Sequence, residues 1–285
     1  MKKSYRIIVI ILSLLLFTSC IRVETVIKVN KDGSGTITET VMMSKVFVDM
    51  MRSFSESFSD LGGDEAKEAE EFSLFDEEKL TSEAMDYGEG VAYSSGKKVV
   101  DKDWEGYTAV YSFKDISKVK LNTSQEDKVD TGMNGPSMED EPQEEKDDEF
   151  YYFTFEKGST PKLIINRYEV EKGDDTTEEF EETETTDEGS EMDMMNSEMM
   201  NMFTGMHFNM TIEVNGKVTN SNASYRDGSV ITLMDMDFGK MMKNKEAFSE
   251  LTKKKPETAS EMKSFMEKFD GLKLELEQPI TVSFK

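Results

Sequence analysis

Two stretches of this chain are too acidic to join any packed core, and they decide what is left to fold. Glu126 to Glu149 holds eleven acids against two lysines, a net −9, and Glu169 to Glu191 holds twelve acids against one lysine, a net −11. Both are poor in apolar residues, so they cannot bury enough surface to offset the entropy of ordering, and they read as long disordered loops. Such loops keep a protein soluble, or they hold divalent cations loosely, since clustered carboxylates attract hard cations. The full chain of 285 residues carries −25. That balance repels nucleic acid and anionic membrane surfaces, so nucleic acid is not an expected partner.

The amino end has a different logic. Lys2, Lys3 and Arg6 precede an apolar run from Ile7 to Phe17, and Thr18-Ser19-Cys20 follows. A run of eleven residues is too short for the roughly 20 that a spanning helix needs. The pattern resembles a lipobox, with Phe17 where Leu is commoner. Residues 1–19 are therefore expected to be a signal peptide, with Cys20 lipidated after cleavage and the rest of the chain held on a membrane of the bacterial cell envelope, outside the cytoplasm. Loss of the three leader cations takes −25 to −28. Cys20 is the only cysteine, so no intramolecular disulfide is available and stability must come from a packed core.

The remaining segments alternate or repeat in ways that specify elements. Val23, Thr25, Ile27 and Val29 share one face of a strand, Asn30 to Gly35 supplies turn residues, and Thr36 to Val41 returns. Ser44 can cap a helix with apolar positions Phe47, Met50, Met51, Phe54, Phe58 and Leu61. A shorter helix after Asp76 presents Leu80, Ala84 and Tyr87 and stops at Gly88. Strands are expected at Val91 to Tyr93, Tyr107 to Phe113, Phe150 to Phe155 and Leu163 to Ile165. Met192, Met195, Met199, Met202 and Met206 follow helical spacing, joined by Phe203. Beyond them, Met210 to Val214 meets Asn215-Gly216, a two-residue hairpin signal, with Lys217 to Ser224 returning and a further turn at Arg226-Asp227-Gly228 leading to Val230 to Met234. A helix from about Phe238 to Leu251 and another opened by Thr258 and Glu261, with Met262, Phe265, Met266 and Phe269 on one face, precede closing strands at Leu272 to Leu276 and Ile280 to Phe284. The order argues for an α+β fold: residues 20–285 as a single lipid-anchored domain, an antiparallel sheet built from hairpins with amphipathic helices packed on one side, interrupted by disordered acidic loops at 126–149 and 169–191.

Ile21 to Thr36, reading IRVETVIKVNKDGSGT, and Met210 to Met234, reading MTIEVNGKVTNSNASYRDGSVITLM, resemble the bacterial lipoproteins with an LppM-like domain. In that family a similar hairpin follows the lipid-bearing cysteine. Members often end in a transmembrane helix, whereas this chain ends on the strand Ile280 to Lys285. The resemblance implies an envelope location and the binding of lipid-like molecules, and it carries over no catalytic residues.

Chemistry is sparse. His207 is the only histidine, Cys20 is consumed by lipidation, and no Gly-x-Ser-x-Gly elbow or nucleotide loop occurs. A hydrolase using a carboxylate pair remains open with fifty-nine acids to draw on. Asn30 to Ile37 has oxygen side chains spaced like the start of a calcium loop, but the twelfth position is Val41 rather than Glu, so a hairpin turn is the better reading. Eight of the twenty residues from Glu191 to Met210 are methionine. Their spacing suits a buried helix face. It also suits an apolar ligand face formed by Met199, Met202, Phe203 and Met206, or a Cu(I) site formed by Met199, Met202, Met206 and His207, since soft thioethers with an imidazole hold that ion. The expected function is a non-enzymatic binding or interaction module for an apolar or lipid-like ligand or an envelope protein, without a cofactor. An envelope metal binder and a carboxylate hydrolase are the alternatives.

Overall fold

A computed structural model describes residues 21–61, 73–123, 150–168, 205–244 and 258–285. Cys20, both acidic stretches and the methionine segment as far as Thr204 lie outside the described residues.

The described chain is mostly strand and forms two sheets. The larger contains β1 (Ile21–Val29), β2 (Gly35–Ser44), β3 (Ala92–Val100), β4 (Trp104–Phe113), β8 (Met206–Val214), β10 (Arg226–Asp227) and β11 (Val230–Asp237), in the order β10-β11-β8-β1-β2-β4-β3, with β12 (Leu272–Leu274) paired to β11. The smaller contains β5 (Lys120–Asn122), β6 (Phe150–Glu156), β7 (Lys162–Tyr168), β9 (Val218–Ser221) and β13 (Ile280–Phe284), in the order β5-β6-β7-β13-β9. The expected single antiparallel sheet is thus corrected in two respects. There are two sheets, and β1 runs parallel to β8, a pairing no hairpin can make.

One core joins the sheets. Ile27, Ile37 and Ile212 of the larger sheet belong to the same buried cluster as Leu163, Val282 and Phe284 of the smaller. The β1–β2 hairpin shows why its sequence works: with Ile21 opposite Met43 and Val29 opposite Gly35, the apolar set Val23, Ile27, Ile37 and Val41 falls on one face. Its turn consumes the polar residues that resembled a calcium loop. Asp32 Oδ1 accepts from the Ser34 amide at 3.0 Å and from its hydroxyl at 2.6 Å. Gly33 takes φ +88°, and a Cβ there would lie 2.8 Å from the Phe155 ring, so this position needs glycine twice over.

The hairpin expected at Asn215-Gly216 and the pair of closing strands are both crossings between sheets. Asn215-Gly216 does turn the chain, but β9 pairs with β13, not with β8, whose two edges are taken by β1 and β11. Likewise β12 pairs with β11 while β13 enters the smaller sheet between β7 and β9.

Among the described residues the helices are few. In α1 (Lys45–Leu61) Ser44 Oγ caps the Phe47 amide at 3.3 Å, and Phe47, Val48 and Met51 are buried while Met50 faces out. The expected side-chain roles of Phe54, Phe58 and Leu61 fall outside the described residues. In α2 (Glu77–Glu83) Asp76 caps Glu78 and Lys79, and the burial of Leu80, Ala84 and Tyr87 follows the expected face. Only Phe238–Met241 of the longer helix expected there is described as helix, α3. In α4 (Ala259–Met266) Thr258 caps Glu261 at 3.2 Å, and Phe265 and Phe269 pack with Met241 in a small cluster of their own. Among the described residues no helix is long and apolar enough to cross a membrane.

Candidate functional site

Met206 and His207 open β8 rather than closing a methionine helix. Met206, Phe208, Met210 and Ile212 satisfy the period of a strand, and that pairing along β1 prevails over the helical spacing that runs into Met206. Successive strand residues face opposite sides, so the two candidate ligands are separated. Met206 packs against the core. His207 lies on the open face, its Nε2 2.8 Å from Asp235 Oδ1 on the neighbouring strand. Met199, Met202 and Phe203 lie outside the described residues.

The open face around His207 is a network of ion pairs. Lys273 Nζ reaches Asp235 Oδ2 at 3.3 Å, and Lys240 Nζ reaches Asp237 Oδ2 at 2.9 Å. Burial alone would raise both aspartates, but hydrogen bonds from His207 and Lys273 to Asp235, and from Lys240 to Asp237, outweigh it and hold both carboxyls below their ordinary value. One strand further, Arg22 on β1 lies opposite His207, and its guanidinium sits 4.2 Å over the ring of Trp104, the chain's single tryptophan.

Beneath the same sheet lies a polar cluster. Glu39, 1 % exposed, occupies the inward phase of β2 shared with Ile37 and Val41. Tyr107 Oη donates to its Oε1 at 2.9 Å and Tyr87 Oη donates to its Oε2. Burial, followed by the nearby Glu39 carboxylate, pushes both phenols upward and keeps them as neutral donors. Thr25, opposite Glu39 on β1, and Tyr111 lie alongside, each with a buried hydroxyl that has no hydrogen-bond partner among the described residues. The arrangement fixes a carboxyl group inside the core by donated hydrogen bonds. A glutamate in phase with apolar neighbours was the sequence signal for it.

Two further carboxylates tie elements together. Glu105, nearly buried, accepts from Arg52 at 3.0 Å and Lys98 at 2.9 Å. Glu275, at the crossing from β12 to β13, accepts the backbone amides of Ser224 (2.6 Å), Tyr225 (3.2 Å) and Glu277 (3.1 Å). A cleft of about 310 Å³ at the β1–β2 turn end is lined by Lys28, Asn30, Gly35, Thr36, Glu213 and Asn215. The Lys28–Glu213 ion pair, at 3.0 Å, makes it polar.

No protein-family model matches the chain, and no curated protein matches it in sequence. Among solved structures, the chain is similar to the NMR structure of the folded domain of the Mycobacterium tuberculosis LppM protein, over 94% of this chain and 92% of that one, at 9% sequence identity and a TM-score of 0.31.

Proposed function

We propose that this chain is a cell-envelope lipoprotein, tethered to a membrane by a lipid on Cys20, and that its folded part is a binding or interaction module. The observation that carries the reading is the place of β1. It begins at Ile21, the residue after Cys20, and lies inside the larger sheet between β2 and β8. A lipid on Cys20 would hang from an interior strand with no linker, so the tether would hold the folded part close to the membrane. The cationic leader and the short apolar run before Cys20 supply the export logic.

An apolar or lipid-like molecule is the ligand this reading favours, with Met199, Met202 and Phe203 as its wall and Met206 left to the core, because flexible thioethers fill irregular apolar space. The tether is tested by Cys20→Ala in the producing cell. A thioether-linked diacylglycerol supplies the hydrophobic attachment, so the variant should leave the detergent phase and lose labelling by fatty acid. Unchanged detergent partitioning with the leader cleaved elsewhere refutes the tether.

A further inference from the structure

We infer that the end of the larger sheet where β1 begins lies against the lipid bilayer, with Val46, Met50, Val100 and Trp104 as its contacts. The inference rests on the tether at Cys20 and adds an orientation that a tether alone does not impose.

Five large apolar residues are exposed among the described residues, and three gather at this end: Val46 at 69 %, Met50 at 43 % and Val100 at 53 %. Strand register puts them there. Ile21 pairs with Met43, Met43 with Glu105 and Glu105 with Val100, so Val100 ends the row that Ile21 begins, and Trp104 pairs with Ser44 one step further out. Neighbouring strands lie about 4.8 Å apart, so the row from Ile21 to Val100 spans on the order of 14 Å.

The first part of α1 stays beside that row. The Lys45 amide donates to the Asp103 carbonyl at 3.0 Å and its Nζ to the Asp101 carbonyl, while Arg52, two turns later, reaches Glu105. Val46 and Met50, four residues apart, share one side of the helix, and Val48 and Met51 turn into the core. Cys20 is one residue from Ile21, and a residue spans at most about 3.6 Å. A lipid there brings this row, and not the turn end of the sheet, to the membrane surface.

The chemistry suits an uncharged lipid interface. Trp104, with Arg22 stacked on its ring, offers an apolar body beside a cation, the combination enriched where bilayer meets water. Glu105 is matched by Arg52 and Lys98 within the protein. Because the chain as a whole carries −25, attraction to anionic headgroups is not what would hold it. The contact is apolar, and zwitterionic lipid is its proper partner.

Trp104 is the sole tryptophan, so its emission reports this end alone. The full-length lipid-bearing protein, purified from membranes, is reconstituted into phosphatidylcholine vesicles with and without brominated acyl chains. We expect flotation with the vesicles, loss of Trp104 emission in the brominated ones, and recovery of that emission in the Val46→Asp, Val100→Asp double variant, which still floats. Both valines are exposed, so an unchanged unfolding midpoint shows the variant to be folded. Flotation with undiminished emission overturns the inference and leaves the tether standing. Shielding of Trp104 from aqueous acrylamide without bromine quenching also overturns it, since a protein partner then covers the face. Failure to float refutes the tether and this orientation together.

Discussion

The two ends of the larger sheet are made by the same strands and finish differently. At the turn end, Lys28 pairs with Glu213, Asn215 Nδ2 donates to Asn30 Oδ1 at 3.0 Å, and the Asn215 amide donates to the Val29 carbonyl at 2.8 Å. The Gly33 carbonyl there receives the Ile116 amide, which joins the turn to the chain leading into the smaller sheet. At the start of β1 the sheet is closed by α1, whose outward residues Val46 and Met50 are apolar. Strand period fixes which side chains face the core along the whole length. It does not fix the ends. There the composition follows what each end meets, a second sheet in one case and, in our reading, a bilayer in the other.

This comparison assigns fold stability to the middle and the crossings, and interaction to the open end. Glu39→Ala is the strongest test. It strips the Tyr87 and Tyr107 hydroxyls of their buried acceptor, and removing one partner from such a cluster costs about 2–5 kcal/mol. Glu39→Gln keeps an acceptor oxygen and should cost clearly less. Urea unfolding measures both, and a Glu39→Ala loss below about 1 kcal/mol would show that the cluster does not hold the sheet. Glu275→Ala comes next. It leaves the Ser224, Tyr225 and Glu277 amides without their acceptor, and a loss of about 1–3 kcal/mol is expected from the desolvated donors.

Much of this layout was legible in the sequence wherever a local rule governed it. Ser44, Asp76 and Thr258 announced their helices because a cap is a contact between near neighbours, and Leu80, Ala84 and Tyr87 fell on one face because helical spacing is local too. Pairing between distant segments was not legible. Asn215-Gly216 announces a tight turn but says nothing about which sheet receives the returning chain. The methionine spacing ran into Met206, where the register with β1 decides the conformation. Most of β3 was missed because an edge strand needs no apolar alternation, and Ser94 to Lys98 shows none. Of the network on the open face, His207 was singled out in the sequence only as a copper ligand, and its partner Asp235, on another strand, could not be named. Glu39 could have been found, since its phase in β2 was visible.

A smaller effect follows from pH. Asp235 is held below its ordinary value of 3.8 because the hydrogen bonds from His207 and Lys273 outweigh the opposing effect of burial. A carboxyl depressed on folding contributes stability that is complete above its unfolded pKa and is lost as the pH falls through the folded one. Thermal midpoints should therefore drop below about pH 4 in the native chain, and Asp235→Asn should reduce that acid limb. An identical acid limb in the variant would mean that the network on the open face does not contribute.

The smallest expected effects compare the two ends directly. Lys28→Ala removes an ion pair on the surface at the turn end, and such pairs contribute within about 1 kcal/mol because solvent screens them and two long side chains must be ordered. Val100→Asp removes an exposed apolar group at the opposite end, where no buried contact is lost, so its change should stay within about 0.5 kcal/mol. By urea unfolding the two variants should be nearly indistinguishable from the parent. On vesicles they should part. Lys28→Ala leaves bromine quenching of Trp104 untouched, because its end points away from the lipid, whereas Val100→Asp weakens it. Equal loss of quenching in both would mean that the molecule lies on its side, with a whole sheet face rather than one end on the membrane. A Val100→Asp destabilisation above about 1 kcal/mol would place that valine in a protein contact instead, and the difference between the ends would then be one of packing and not of partner.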